Sequence, residues 1–429
     1  MNRINLITPI NKSDHFMLIL ILALPFSLIT GPFLPDLFIS LIGLMYIFKN
    51  LNNLKNIVYN KISIVFLLFY FFLLVSTFFS YDPLISIENS LFYFRYLFFF
   101  WGVYFILEKN PITIKFLIYV FSITFSLVYF DSIIQFFIGT NLTGYPIDQH
   151  GGINSFFGTN EDGILGSYIV RLTPIFCALL SYKFCNDTKI KFIISLLIIG
   201  SSIVALFSQE RTAFALSIIV FISYIYFTDV FSLKIKLYIT LMLLFLIFFL
   251  LLSNNDIYTR YIISVKDQFF ANNQFYIFST LHQAHYESAI KMFLDKPILG
   301  IGPKMFRYYC DYETYYVLNS CSTHPHNNYV QLLAETGIIP FLFILSIFGL
   351  MLRIYLKQFI NLIGNKNYLY SAHFILMFSS VFISIWPIAP SNSFFNNWIN
   401  VIYYLPVGFL IYFIKKDNFK INNKNSSLK

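Results

Sequence analysis

The chain alternates long apolar stretches with shorter polar ones over most of its length. The hydrocarbon core of a membrane is about 30 Å thick, so a helix that crosses it needs about 20 mainly apolar residues. Twelve stretches approach that length. The pattern therefore predicts an all-α polytopic membrane protein with about twelve transmembrane helices, at 15–30, 34–48, 62–80, 87–108, 112–138, 164–182, 192–207, 211–228, 237–252, 328–352, 369–387 and 397–414.

Composition supports this class. Hydrophobic residues make up 58% of the 429 positions and charged residues 11%, against about 25% charged in a soluble domain. Residues 1–16 lead into the first span without a small-residue cleavage site, so we expect a retained span in place of a signal peptide. The polar residues 415–429 predict a solvated, disordered tail. The predicted organisation is spans 1–9 within 1–252, a large loop at 253–327, spans 10–12 within 328–414, and the tail.

The basic residues predict the orientation. If the amino terminus is cytoplasmic, then the carboxyl terminus and every second loop are cytoplasmic too. These segments contain twenty of the 29 lysines and arginines. Six others lie in the large outer loop at 253–327. The other large outer loop, at 139–163, has none. Lysine and arginine concentrate on cytoplasmic loops, and long translocated segments are exempt from that rule. Both termini are therefore predicted to be cytoplasmic, and the net charge of +9 reflects topology and does not indicate a nucleic-acid partner.

The four cysteines divide between the two sides. Cys177 lies in a span and Cys185 in a cytoplasmic loop, which predicts free thiols. Cys310 and Cys321 share the large outer loop, where a bacterial compartment is oxidising. We expect them to form a disulfide that braces the following segment and contributes about 3 kcal/mol in the chain-entropy model.

Two arginines are candidates for binding an anion. An arginine within a span is costly unless it faces a polar cavity or a partner. Arg211 lies in the polar stretch SQERTAF at the outer end of the eighth span, and Arg171 lies about eight residues into the sixth. A guanidinium offers the bidentate geometry that a phosphate requires. The alternatives are snorkelling of Arg211 to the interface and a structural partner for Arg171.

The large outer loop contains a predicted amphipathic helix in FSTLHQAHYESAIKMFLDKP, because His282, Tyr286, Ile290 and Phe293 recur at helical spacing. His282 and His285 are three residues apart and share one face. No cysteine or carboxylate cluster accompanies them, so the sequence predicts no metal site.

The stretch STHPHNNYVQLLAETGIIP follows, where Pro325 suits the first turn of a helix. His326 would then lie at a helix amino terminus, which disfavours an imidazolium and attracts anions. A neutral imidazole beside an anion site is an arrangement typical of transferases. His326 is the candidate base, and His324 is interpreted as scaffolding.

These residues resemble the O-antigen ligase family, which is related to the O-antigen polymerases. The family pattern is a histidine followed by Asn, Ser or Gln, nine further residues and a glycine, and His326, Asn327 and Gly337 match it. Pro340 departs from the last position of the pattern, which is usually Gly, Thr or Tyr. The segments FFGTNEDGILGSYIVRL, SQERTAF and KMFLDKPILGIGPKMF also resemble family segments in the same order, so that the resemblance covers about 155–345.

The resemblance implies a metal-independent, GT-C-like glycosyltransferase of the bacterial inner membrane, without a cofactor. Such an enzyme moves a glycan from undecaprenyl pyrophosphate to a hydroxyl of lipid A–core at the periplasmic face. The family's catalytic histidine falls on His326 and its pyrophosphate-binding arginine on Arg211. A second family arginine would fall near 282, where this chain has a histidine. His282 or His285 could take that role, or Arg260 or Arg307 could supply the charge.

Three other functions remain open at this point. An O-antigen polymerase would use the same chemistry on another glycan acceptor, and a protein O-glycosyltransferase is a further variant. A lipid-linked glycan flippase or transporter belongs to a different class. Transporters commonly carry repeated halves and broken helices near the membrane midplane. The sequence shows no such pairing, and its polar residues gather at the outer face, which favours the enzyme.

Overall fold

The computed structural model describes residues 11–148, 151–158, 164–270, 275–363 and 368–426, with side chains described as far as Asp417. The expectations for the first ten residues, for part of FFGTNEDG and for the last three residues lie outside this range. The described residues form nineteen α-helices and no β-strand, which confirms the all-α class. In chain order, α1 to α19 are Lys12–Ser27, Phe33–Lys49, Leu54–Val58, Lys61–Phe78, Pro83–Ser90, Arg95–Lys109, Thr113–Ile138, Leu165–Lys183, Thr188–Phe207, Arg211–Tyr226, Leu233–Ser253, Asn255–Tyr258, Ser264–Phe269, Thr280–Asp295, Phe306–Tyr309, Asn328–Thr336, Ile338–Ile363, Ala372–Ser384 and Asn397–Ser426.

The membrane-spanning segments follow the predicted series closely. Within the described residues, nine helical segments are long and apolar enough to cross a membrane. A tenth candidate combines α2 with the helical segment Leu51–Val58, which meet at a bend of 77°. The helices α10 and α18 are apolar but shorter, and they correspond to the predicted eighth and eleventh spans. The protein is thus a polytopic all-α membrane protein, in agreement with the hydropathy pattern.

The tenth span begins ten residues later than predicted. The expected helix at 328–352 is divided into α16 and α17 at Gly337, whose φ of +78° ends the first of them. The short helix α16 buries polar side chains, among them Asn328, Gln331 and Glu335, so it is packed by protein and does not face lipid. Pro325 also lies before this helix and not in its first turn, because the helix begins at Asn328.

The prediction of a disordered tail is also wrong for the residues that the structure describes. The last helix, α19, continues through residues 415–426. Side-chain contacts explain its beginning: Lys415 Nζ donates to Tyr104 Oη at 2.6 Å, and Asp417 pairs with His373 at 3.2 Å. These polar residues therefore extend a helix where their composition predicted solvated coil.

The helix α8 lies at the centre of the bundle. In this span 89% of the apolar window is buried inside the protein, against 17% for α11 and for α17. It packs between α9 and α18, and its Gly166, Ser167, Thr173 and Ala178 allow close approach of neighbouring helices. Side chains on α8 are consequently positioned from several sides, whereas α11 and α17 lie at the periphery.

One carboxylate joins three helix ends on one face of the bundle. Asp14, near the start of α1, accepts from both Lys49 at the end of α2 and Lys109 at the end of α6. The opposite face carries the start of α8, the end of α9 and the start of α10, together with the two large loops. Arg95, which begins α6, pairs there with Asp36 at 2.7 Å.

The large loop is braced from within. Its main helix, α14, spans Thr280–Asp295, as the periodicity of that stretch predicted, and ends immediately before Lys296 and Pro297. Further along, Cys310 and Cys321 are joined by a disulfide, with Cα atoms 5.2 Å apart. Among the described residues, Cys177 is a buried free thiol and Cys185 an exposed one.

Candidate active site

A cavity of about 550 Å³, lined by both polar and apolar side chains, opens at the end of the bundle that carries the loops. Its walls come from the first turns of α8 and α10, from the segment between α11 and α14, and from residues 386–392 after α18. Five of the residues singled out from the sequence line it together: Arg171, Arg211, Arg260, His282 and His326. Residues up to 155 positions apart in the chain thus share one chamber.

The three arginines reach the cavity from three different elements. Arg211 is the first residue of α10, and its Nη1 donates to Gln268 Oε1 at 2.8 Å. Arg260 follows α11, and its Nε donates to the Gln209 carbonyl at 3.3 Å. Arg171 lies deeper on α8, with only 4% of its surface exposed. These three guanidiniums concentrate positive charge in a largely buried space.

Arg171 retains hydrogen-bonding capacity. Its Nη1 donates to Ser167 Oγ at 2.8 Å, one turn earlier on the same helix. Its Nε is buried without a hydrogen-bond partner. A buried donor without a partner is costly, and an anion entering the cavity would satisfy it.

Glu210 also lines the cavity and interacts electrostatically with Arg171, so it offsets part of this charge. Its carboxylate accepts from the backbone N–H groups of Gly166 and Ser167, the latter at 2.8 Å, at the start of α8. The positive end of a helix dipole stabilises a carboxylate there, although burial raises the pKa of Glu210. The sequence shows Glu210 only as part of the polar stretch SQERTAF, and this contact could not be predicted from it because it depends on the packing of α8 against the turn before α10.

His326 is held in an uncommon backbone conformation. Its φ is +56°, in the left-handed region that few residues other than glycine adopt. Its carbonyl accepts from the Ser391 N–H at 2.9 Å, and its Nε2 lies 3.0 Å from Ser322 Oγ. Such backbone outliers cluster at functional sites, where the surrounding structure fixes them.

Asn327 has a structural position next to this histidine. Its Oδ1 accepts from the N–H groups of Tyr329 and Val330, at 2.9 and 3.1 Å, and so caps α16. Its Nδ2 donates to the Pro387 carbonyl at 2.8 Å. Asn327 does not line the cavity, so the structure places this predicted substrate contact at the helix cap instead.

Three further histidines surround the His326 ring. The ring centroids of His324, His285 and His282 lie 4.2, 5.3 and 5.8 Å from that of His326. Burial, reinforced by the neighbouring histidines, lowers the pKa of His282 to about 4 and that of His324 to about 3. These two rings are therefore neutral at physiological pH.

Backbone carbonyls fix two of these rings. His285 Nδ1 lies 2.7 Å from the Ser320 carbonyl, and His324 Nε2 lies 3.1 Å from the Ser391 carbonyl. Since a carbonyl oxygen only accepts, both nitrogens carry the hydrogen. His324 does not line the cavity, and its contact with the Ser391 carbonyl is consistent with the scaffolding interpretation. His285 is 2% exposed and does not line the cavity, so it lies behind His326 and not among the groups that face a ligand.

Arg307 is also outside the cavity lining. It lies on the short helix α15 with an exposed side chain. Of the alternatives for the missing second arginine, the structure therefore brings Arg260 and His282 to the cavity and leaves His285 and Arg307 out of it. In the described part of the chain, no group of three or more His, Cys, Asp or Glu side chains is arranged to hold a metal ion.

Gly337 closes the motif for a steric reason. A Cβ atom at this position would lie 2.2 Å from the Ile298 carbonyl oxygen. Beside it, the Ile338 N–H donates to the Pro297 carbonyl and the Ile301 N–H to the Ala334 carbonyl. The end of α16 is thereby joined to the segment PILGIG. The spacing of nine residues between Asn327 and Gly337 is the length of α16 itself, from its cap to this contact.

A polytopic membrane protein with a cationic, histidine-walled cavity at one end of its bundle is the class that these observations define. Residues 195–345 match the family model described as O-antigen ligase. This segment is therefore similar to the O-antigen ligase family, in agreement with the resemblance of the motif, and the match supports a membrane enzyme of the O-antigen ligase or polymerase type. No curated protein matches the chain. The matched segment contains Arg211, Arg260, His282 and His326, and it leaves Arg171 outside.

Proposed function

We propose that the chain transfers a glycan from undecaprenyl pyrophosphate to a sugar hydroxyl of lipid A–core. The observation that carries this proposal is the presence of one histidine base candidate and three arginines in the same cavity. Donor and acceptor are those of the family. The acceptor oxygen attacks the anomeric carbon, the bond from that carbon to the pyrophosphate oxygen breaks, and the acceptor proton passes to His326.

His326 is the proposed general base. A base must lie within hydrogen-bond reach of the hydroxyl that it deprotonates. The Ser322 hydroxyl occupies that place at His326 Nε2, so an acceptor hydroxyl that displaced it would meet the ring at about the same distance. The neutral rings of His282 and His324 add no positive charge beside the one that forms on His326 during transfer.

The arginines are the proposed ligands of the leaving group. Pyrophosphate gains negative charge as it departs, and preorganised cations stabilise that charge in a water-poor site. Arg211 and Arg260 lie near enough to repel each other electrostatically, an arrangement that a doubly charged anion between them would relieve. We assign Arg260 the role of the family's second arginine. Arg171, deeper in the cavity, is the third ligand, and the mechanism is metal-independent.

The proposal includes an orientation. The cavity faces the periplasm of the bacterial inner membrane, and both termini lie in the cytoplasm. The distribution of basic residues supports this, and so does the placement of Lys49 and Lys109 at the bundle end opposite the cavity, where Asp14 joins them. The architecture is GT-C-like in having its reactive groups gathered at one end of the bundle, on loops and near the starts of helices.

The direct test is His326→Ala. Loss of a general base costs about 10²–10⁴ in rate, so we expect glycan transfer to fall by that factor while the variant still folds and inserts. Purified enzyme, lipid-linked donor and lipid A–core would be combined, and product followed by glycolipid electrophoresis. His324→Ala serves as a neighbouring control for packing. Wild-type turnover in His326→Ala would refute the base assignment.

The acceptor separates the ligase from the polymerase. Deletion of a ligase leaves lipid A–core without polymer while undecaprenyl-linked polymer accumulates. Deletion of a polymerase leaves a core that carries one repeat unit. Electrophoresis of both lipid pools in a deletion strain therefore distinguishes the two. Accumulation of untransported glycan on the cytoplasmic face would indicate the flippase instead.

A further inference from the structure

The segment that follows α11 presents apolar side chains outward. It is helical from Asn255 to Phe269, through a π-helical turn at Thr259–Ile263. Ile262 and Ile263 form one pair at the end of the π-helical turn, and Phe269 and Phe270 form a second pair at the end of α13. All four side chains are exposed, and Phe270 is 62% exposed.

Two residues beyond the helix enlarge this surface. The Phe275 ring lies 5.9 Å from that of Phe269 and 5.8 Å from that of Phe270. The Tyr276 N–H donates to the Phe269 carbonyl at 2.9 Å, and this hydrogen bond holds residues 275–277 against the end of α13. Phe275 is 65% and Ile277 70% exposed. We define these six exposed residues as the apolar patch: Ile262, Ile263, Phe269, Phe270, Phe275 and Ile277.

The apolar patch continues a surface that contacts lipid. Only 17% of the apolar window of α11 is buried in the protein, and its exposed side chains include Phe245, Phe248 and Leu252. These residues face the hydrocarbon because α11 spans the membrane. Leu252 precedes Ile262 by ten residues, with the extended residue Asn254 between the two helical segments, so the patch follows closely in the chain after the lipid-facing side of α11. A contiguous exposed apolar surface of this kind marks a contact with another apolar phase.

We propose that the apolar patch is immersed in the edge of the lipid bilayer, so that its partner is the hydrocarbon of the membrane. Aromatic side chains are enriched at this depth. Lys266 lies between the two pairs in the chain and is exposed. Its ammonium can reach the headgroup layer while its stem stays with the apolar side chains. The large loop is thus in part a membrane-embedded structure.

This placement has a consequence for the cavity. Phe269 belongs to the apolar patch and also lines the cavity, together with Val265 and Phe278. One wall of the cavity is then formed by the membrane-embedded segment, and a molecule anchored in the bilayer reaches the arginines from that side. The inference goes beyond the proposed function and does not depend on it, because immersion is measured without any transfer reaction.

Site-directed nitroxide labelling tests the proposal. Labels are attached at Phe270→Cys and, separately, at Ile277→Cys, in a Cys185→Ser background that removes the exposed free thiol while the buried Cys177 stays. The full-length protein is reconstituted in vesicles of phosphatidylethanolamine and phosphatidylglycerol. Power-saturation electron paramagnetic resonance then compares accessibility to oxygen, which partitions into hydrocarbon, and to a nickel chelate, which stays in water.

Two sites of known environment calibrate the result. Phe245→Cys, 70% exposed on α11, reports the hydrocarbon, and Glu313→Cys, exposed in the large loop, reports water. We expect the oxygen-to-nickel ratio at 270 and 277 to approach that at 245 and to exceed that at 313 several-fold. A ratio equal to that at 313 would overturn the proposal. Low accessibility to both reagents would also overturn it, since it would show that another protein surface covers the patch.

Discussion

Two residues that look equivalent in the motif have different partners in the structure. His324 and His326 flank one proline. The His324 ring is fixed to the Ser391 carbonyl, whereas the His326 ring faces the cavity. The two rings lie only 4.2 Å apart, so the difference between them is one of partners and not of location. The backbone of His326 also has a φ of +56°, which the motif does not reveal.

The role proposed for Arg211 predicts that charge alone is insufficient. Arg211→Lys keeps the cation but loses the planar fork that binds two phosphate oxygens at once. We expect kcat/KM to fall about 10²-fold, within the range for loss of a preorganised donor. Steady-state transfer assays measure this, with Lys266→Arg, at an exposed position in the large loop, as a control that should not alter turnover. An unchanged rate in Arg211→Lys would exclude pyrophosphate binding by this residue.

His285 is proposed as a positioning residue for His326. Its Nδ1–H donates to the Ser320 carbonyl, and its ring lies 5.3 Å from the His326 ring. His285→Leu should lower kcat about ten-fold, the equivalent of roughly one hydrogen bond, without a change in KM for the donor. His285→Asn keeps a donor near the Nδ1 position and should restore most of the rate. If Leu and Asn lower kcat equally, the carbonyl contact has no part in positioning.

At the scale of elements, α16 and the segment PILGIG act as one unit joined at Gly337. Gly337→Ala places a methyl group 2.2 Å from the Ile298 oxygen and requires φ of +78°. We expect at least about 2 kcal/mol of destabilisation, since strain and overpacking combine. Thermal unfolding in detergent measures it.

Variants of two other glycines separate the two causes of destabilisation in Gly337→Ala, which are backbone strain and overpacking. Gly349 lies within α17, where an added Cβ meets nothing within 4 Å, so Gly349→Ala should not lower stability. Gly139 has φ of +84° and equally open surroundings, so Gly139→Ala measures the backbone strain alone. If Gly337→Ala costs no more than Gly139→Ala, the close approach at Ile298 is not what requires glycine.

The disulfide acts on another element, the segment that leads to His326. Cys321→Ser removes a covalent loop whose ends are 11 residues apart. The chain-entropy model gives a loss of about 3 kcal/mol, which should appear as faster hydrogen exchange between 310 and 326 and as reduced transfer. Cys185→Ser removes an unpaired thiol and should change neither quantity. Equal exchange in the two variants would contradict a bracing role.

At the scale of the whole molecule, the sequence predicts what depends on composition along the chain. The spans could be found because each helix must satisfy its own backbone in the membrane. His326 could be singled out as the candidate base because a motif is local. The meeting of Arg171, Arg211 and Arg260 could not be derived, since it depends on the packing of α8 against α10 and on a helical turn after α11. The start of α17 was predicted too early because apolar periodicity continues across Gly337, and only the backbone conformation there ends α16.

The covalent loop between Cys310 and Cys321 also makes activity depend on whether this segment has crossed the membrane. Under the proposed orientation, this segment becomes oxidised only after it has crossed the membrane. A newly made copy, or one inserted upside down, would keep its thiols reduced and its histidine wall unbraced. Such a copy would be inactive, so it would not catalyse transfer on the wrong side of the membrane. The compartment that holds the substrates would thus also be the one in which the disulfide forms and the histidine wall is braced.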